Sequence, residues 1–234
     1  MSLADQVVLV TGAAGNLGSA IARAAAARGA KVVLADMRRD PLVAVAGEIS
    51  GESLIVDGAD VRSAEDCARL VAQAEAKFGR VDGLANTVGT FKVTDVAAGA
   101  AADWDFLMGL NALSALRLSE AVLPGMRARG HGRIVHTAAG AGAKSFAGAS
   151  VYCASKAAVM RIAEAISEEN KALGVTANCV APGTIDTPQN RAAMPDADHA
   201  VWVKPEDLAE VFAFLLSPAA RAVTGATIPV FGKG

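Results

Sequence analysis

Aromatic side chains make up only 4% of this 234-residue chain, and Tyr152 is its single tyrosine. With so few rings, the core must be built from the small and branched aliphatic residues that dominate the 53% hydrophobic content. Charge of one sign is also missing. The 22 basic and 24 acidic residues leave a net charge of −2 with no basic run, which argues against nucleic acid as the main partner. No long apolar segment opens the chain. The stretch after Met1 is only Val7–Val10, too short for a signal segment or a membrane span, so the reading is a cytoplasmic protein without a membrane partner. The three cysteines, Cys67, Cys153 and Cys179, are widely spaced and form no C-x-x-C. They read as free thiols in a reducing compartment, with no disulfide or zinc framework and no metal site.

What is present is a regular alternation of short β-branched runs and Ala-rich helical segments. Strands are expected at Val7–Thr11, Lys31–Asp36, Leu54–Val56, Asp82–Asn86, Arg133–Thr137, Val175–Ala181 and Ala226–Val230. Helices are expected at Leu17–Arg28, Pro41–Ile49, Ala64–Phe78, Ala102–Arg129, Ser150–Leu173 and Pro205–Leu216. The strands are apolar throughout and do not alternate, as in a parallel sheet covered on both faces. Repeated β-α units of this length give right-handed crossovers and a doubly wound α/β fold. No linker, repeat or low-complexity segment divides the chain, so residues 1–234 are read as one domain.

Two local patterns carry chemistry. The first strand ends in a turn containing Gly12, Gly15, Asn16, Leu17 and Gly18 and runs straight into a helix. Glycines there allow a tight turn and let backbone amides approach a pyrophosphate at a helix N-terminus, where the dipole favours negative charge. Asp36 ends the next strand, where a carboxylate can accept from both ribose hydroxyls and repel a 2′-phosphate, favouring NAD(H) over NADP(H). Arg38 and Arg39 follow immediately, and either could reach a 2′-phosphate. In the second pattern, Tyr152 lies four residues before Lys156 in Val-Tyr-Cys-Ala-Ser-Lys. That spacing puts phenol and ammonium on one helix face, and a cation beside a phenol lowers a pKa that is otherwise about 10. His136 is a lone histidine on a buried strand, a place where histidine is more often structural than a base, and it is given no role in the chemistry.

Thr11–Gly18, Asp60-Val61, Asn86–Gly89, Asn111, Tyr152/Lys156 and Pro182-Gly183 stand in an order that resembles the short-chain dehydrogenase/reductase family over essentially the whole chain. The resemblance implies a Rossmann sheet of seven parallel strands with a nicotinamide beside Tyr152. It implies that Asp60 and Val61 contact adenine and that Asn86 and Gly89 line the cofactor cleft. Pro182, Gly183, Ile185 and Thr187 would run along the nicotinamide side. Tyr152 would be the acid/base, Lys156 would tune it and hold the ribose hydroxyls, and Asn111 would hold a proton-relay water. A homodimer or homotetramer is implied, paired through the helices at Ala102–Arg129 and Ser150–Leu173.

The departures from that pattern bear on the substrate. The family's carbonyl-polarising serine corresponds by this resemblance to Ala139, and Ile134–Gly140 contains no serine. Thr137 is two residues away, where it could share a strand face, and Ser145 and Ser150 follow in the loop. The second asparagine of the family's Asn-Asn-Ala-Gly motif is Thr87 here, and the middle glycine of its commonest turn is Asn16. Three explanations of Ala139 stand side by side. A quinonoid substrate gains aromaticity on reduction and needs no polarised carbonyl. A substitute donor would leave an ordinary ketone/secondary-alcohol dehydrogenase. A catalytically silent NAD-binding regulator would need no donor at all. The segment Thr184–Trp202 is similar to the corresponding stretch of quinonoid dihydropteridine reductases, which favours a small flat substrate such as a dihydropterin.

Overall fold

Val8 and Val10 point to one side of the first strand and Val7 and Leu9 to the other, all within 1% of complete burial. Residues alternate across a strand, so a run of valines and leucines demands a hydrophobic layer on each face. The computed structural model describes residues 1–233 and supplies both layers. Seven parallel strands, β1 (Val7–Thr11), β2 (Lys31–Asp36), β3 (Ser53–Asp57), β4 (Gly83–Asn86), β5 (Gly132–Thr137), β6 (Val175–Pro182) and β7 (Thr227–Val230), form one sheet in the order β3-β2-β1-β4-β5-β6-β7. The Val8 side packs against Leu17 and Ile21 of α1 (Asn16–Ala26), Leu42 of α2 (Arg39–Glu48), and Leu208 and Phe212 of α8 (Pro205–Leu216). The Val7 side packs against Leu70 of α3 (Ala64–Phe78), Leu118 and Val122 of α5 (Ser114–Arg129), and Ile166 of α6 (Ser150–Asn170). Each such fully buried aliphatic chain contributes about 1.5–3 kcal/mol relative to exposure.

Helix boundaries follow local chemistry. For α3, the Ser63 hydroxyl accepts from the Asp66 amide at 3.2 Å, and Gly79 closes the helix in the left-handed region at φ 81°. These two signals are visible in the sequence, and the Ala64–Phe78 expectation is met. The first helix ends earlier than Arg28, because the chain turns at Ala27–Gly29 and Gly29 takes φ 87°.

The expected helix at Ala102–Arg129 is not uniform. A 3₁₀ turn (Ala100–Asp103) and the short α4 (Trp104–Leu107) lead into a π-helical stretch, Met108–Leu113, before α5 begins. The whole run is apolar enough to pass for a membrane span, with a mean hydropathy of 1.3 in its most apolar stretch. Leu118, Val122 and Met126 are nevertheless buried against α3 and the sheet, as in a core helix. After β6, Thr187 caps a six-residue helix, α7 (Pro188–Ala193).

β1 lies between β2 and β4, so successive connections leave it in opposite directions. The crevice outside the carboxyl ends of β1 and β4 is the topological switch point where such sheets bind ligands.

Candidate active site

Gly12 leaves β1 at φ +70°, and a Cβ on it would stand 2.7 Å from the Thr87 hydroxyl. A Cβ on Gly18 would overlap the Gly12 carbonyl. The first turn of α1 is thus pressed directly onto the end of β1, with Gly15 as its N-cap and no side chain satisfying its amides. These free N–H groups and the dipole's positive end form an anion site. Leu17 is buried and can offer only its backbone, while Asn16 donates its side-chain amide to Gln189 at 2.9 Å. The Asp36 carboxylate accepts from the Ala14 amide at 3.2 Å, tying the second strand to the turn.

A cleft of about 290 Å³ runs along these strand ends, lined by Gly12, Gly15, Asp36, Asp60, Val61 and Gly89 among others. The two arginines after Asp36 part company. Arg38 lines the cleft, whereas Arg39 pairs with Asp57 at 2.9 Å. Arg62 grips Asp60 through Nε and Nη2 (2.9 and 2.7 Å) and holds its carboxyl below the usual range. The cradle of glycines, the free amides and the carboxylate at the end of β2 fit an adenine dinucleotide.

Asn86 does not line this cleft. It is 2% exposed, and its Oδ1 accepts from the Thr11 hydroxyl at 2.9 Å and the Val88 amide at 3.1 Å. It stitches β1 to β4 from inside, and the residues that reach the cleft are Thr87, Val88 and Gly89. Sequence order alone could not tell a strand's last inward residue from its first outward one.

The Asn86 Nδ2 lies 3.4 Å from His136 Nδ1, and the Ser119 hydroxyl lies 3.0 Å from His136 Nε2 while donating to the Ala115 carbonyl. This chain assigns His136 the neutral Nε2–H tautomer, and burial pushes its pKa down to about 4. The structural role expected for it therefore fits. Because the folded pKa lies below the unfolded value of about 6.5, the unfolded chain binds the extra proton between them. Stability from His136 is complete above the unfolded value and lost as pH falls toward the folded one. From near pH 7 to near pH 4.5 the loss should be roughly 2–3 kcal/mol. Urea denaturation at the two pH values should show His136→Gln losing less stability on acidification by that amount. Equal losses would remove His136 from the acid response.

Lys156, Asn111 and Gly89 converge, one helical turn from Tyr152. A Cβ on Gly89 would lie 2.8 Å from Asn111 Oδ1 and 3.0 Å from Lys156 Nζ, so only glycine leaves room between them. The π-helical stretch brings Asn111 to this point. Its Oδ1 accepts from the Thr90 amide at 2.8 Å, and its Nδ2 donates to the Thr90 carbonyl and to the Ser155 hydroxyl. Ser155 in turn donates to the Tyr152 carbonyl at 2.7 Å. Ser155 was not singled out from sequence, although its place between Tyr152 and Lys156, on the same helix face, was a signal.

Burial is the leading electrostatic influence on both Tyr152 and Lys156. Lys156 Nζ donates to the Thr137 carbonyl at 3.0 Å, and burial pushes its own pKa down to about 8. Tyr152 is pushed up to about 12, first by burial and then by the Cys153 thiol. The Lys156 ammonium is itself buried and turned to a backbone oxygen.

Ala139 is extended and 8% exposed, two residues past the end of β5. Thr137 does not stand in for the absent serine, because its hydroxyl donates to the Asn86 carbonyl at 2.9 Å. Ser145 is exposed, 3.5 Å from the Phe146 carbonyl, on the loop before α6. Pro182 ends β6 and Gly183 lies against Phe231. Ile185 bridges to Val203, and Thr187 lines a second, polar hollow with Asn16 and Arg191.

The family model described as short chain dehydrogenase matches residues 6–198. Among curated proteins, 2-(S)-hydroxypropyl-CoM dehydrogenase 3 of Xanthobacter autotrophicus is 32% identical, covering 98% of this chain and 96% of its own. The 3-oxoacyl-(acyl-carrier-protein) reductase FabG of Escherichia coli is 31% identical over 99% and 98%. Among solved structures, levodione reductase is 30% identical with a TM-score of 0.91, covering 98% of this chain and 97% of that one. A short-chain type dehydrogenase/reductase from Mycobacterium ulcerans is 25% identical with a TM-score of 0.93, covering 100% and 90%.

Proposed function

As the chain belongs to the short-chain dehydrogenase family, we propose that it is an NAD(H)-dependent oxidoreductase acting on a small carbonyl or flat ring substrate at Tyr152. The observation that carries this reading is the meeting of Asn111, Gly89 and Lys156 at the end of the glycine-lined cleft. When bound, the nicotinamide supplies or takes the hydride. The chain's own residues manage the proton. In reduction the Tyr152 phenol gives its proton to the substrate heteroatom as the carbon gains the hydride, and a solvent proton restores the phenol. Lys156 offers an ammonium to ribose hydroxyls and to the phenolate left behind. Asn111, held by Thr90 and Ser155, positions the backbone around Lys156 for that proton return.

The relatives' names specify a hydroxypropyl and a 3-oxoacyl group, which supports a carbonyl/alcohol pair as the reacting centre. None of the relatives named above is a dihydropteridine reductase, so a dihydropterin is the narrower form of the proposal. It rests on Ala139, since a substrate that gains aromaticity needs no donor there. A homo-oligomer is proposed as well, supported by the exposed Trp104, Phe106, Leu113 and Leu116 on one helical run.

NADH and NADPH titrations with a panel of ketones, a simple quinone and a quinonoid dihydropterin test the reading. Tight NADH binding without turnover across the panel would leave a silent regulator in its place. Asp36 should make NADH the better cofactor, and Asp36→Ser should narrow the NADH/NADPH preference about tenfold or more, through loss of charge-assisted hydrogen bonds and repulsion. Wild-type preference for NADPH would hand the ribose site to Arg38.

A further inference from the structure

Two phenylalanines stand half-exposed beside the catalytic tyrosine in a chain that has few rings to spare. Phe91 and Phe146 are 58% and 49% exposed, and their rings lie 6.5 Å apart at 28°, close to parallel. Phe91 also meets Tyr152 edge-on, with centroids 4.8 Å apart at 86°. Of the ten aromatic residues in the chain, three therefore gather at this one point.

The loops that carry the two phenylalanines are fastened. The loop after β4 is held at Thr90 by both ends of the Asn111 amide. Asp103 takes Lys92 and the Thr94 hydroxyl, each at 2.5 Å. The Thr94 amide donates to the Gly148 carbonyl at 2.7 Å, joining this loop to the one that carries Phe146. Gly148 sits at φ +76°, a conformation that suits glycine at this junction. Exposed rings on a fastened support keep their orientation, and their open faces can bind a flat partner with little ordering cost.

We propose that Phe91 and Phe146 form an aromatic wall that selects substrates whose reducible group is part of a planar ring, and that the wall sets the ring against the Tyr152 hydroxyl. The inference rests on the oxidoreductase reading and narrows it. With Ala139 offering no hydroxyl to orient a carbonyl, orientation falls to shape. Stacking supplies that for a flat ring and not for a linear chain.

The test uses two substrates of equal carbon count, 1,2-naphthoquinone and 2-decanone, with NADH, and an unreactive planar probe, 2-naphthol, titrated calorimetrically into the NADH-saturated protein. The proteins are wild type, Phe91→Ala, Phe91→Leu and Phe146→Ala, with thermal melting and NADH affinity as checks on folding. The ratio of kcat/KM for the quinone over the ketone should fall about three- to tenfold in each alanine variant, mainly through KM, as expected for one lost ring contact. Affinity for 2-naphthol should fall in parallel, and Phe91→Leu should behave like the alanine, because bulk without a ring does not stack. An equal loss on both substrates with unchanged 2-naphthol binding would overturn the proposal, leaving Phe91 as mere packing for Tyr152. Full recovery in Phe91→Leu would overturn it too. Should wild type reduce neither substrate yet bind 2-naphthol in a Phe91-dependent way, the wall stands and the turnover reading fails. Turnover with no dependence on either phenylalanine reverses that outcome.

Discussion

Tyr152→Phe should lower kcat/KM for reduction by about 10²–10⁴, the usual worth of a positioned proton donor, while NADH affinity changes by less than about twofold. The ring survives the substitution, so the edge contact with Phe91 and the burial of the α6 face persist. Only the hydroxyl is lost. Steady-state rates and a fluorescence titration of NADH separate the two effects. Activity that survives would mean the proton comes from elsewhere. The pKa of about 12 adds a direction to this prediction. Before ligands bind, the phenol is protonated throughout the neutral range and is ready as an acid. Alcohol oxidation needs the phenolate instead, so its rate in wild type should climb with pH up to the pKa that the phenol has in the cofactor-bound enzyme. Reduction should show no such climb.

Ala139→Ser should raise kcat/KM toward simple ketones by about 10²–10³, the cost commonly seen when one donor to a developing oxyanion is removed. Ala139 has an extended backbone, which serine adopts without strain, and it lies two residues past the end of β5. Thr137 does not compete for the role, since its hydroxyl already donates across to the Asn86 carbonyl. A quinonoid substrate should gain much less, because its driving force is aromatisation and not carbonyl polarisation. Parallel assays with cyclohexanone and 1,2-naphthoquinone give the comparison. An unchanged ketone rate would mean that a donor is already in place, and Ser145→Ala would then be expected to lose it.

The sheet could be read from the chain because its signals are local and repeat: valine-rich runs of strand length, a serine cap before Ala64, a glycine after Phe78, a proline opening the helix at Pro205. The glycine turn and Asp36 were legible for the same reason, each being defined by what its own residue type allows. The misreadings concern direction. Asn86 and Thr137 lie in the right place along their strands, but their side chains serve the strand ends and not the cleft. The Tyr152/Lys156 spacing could be read from the chain, whereas the burial that pushes the two pKa values could not, because it depends on residues far away in sequence. Ser155 and the Phe91–Phe146 pair were missed, since their significance appears only when two loops, the π-helical stretch and α6 meet.

The π-helical stretch at Met108–Leu113 makes this site sensitive to chain length, beyond its sensitivity to residue identity. A π turn holds one more residue than the α turn it replaces. Removing a residue there would collapse the wide turn to regular winding and displace the residues that it carries, Asn111 among them. Asn111 would swing off Thr90 and Ser155, and the loop bearing Phe91 would lose its anchor. Substitutions on the outer face of that turn leave the count intact. In this segment, insertions and deletions are therefore the changes most strongly constrained in any descendant that keeps the chemistry.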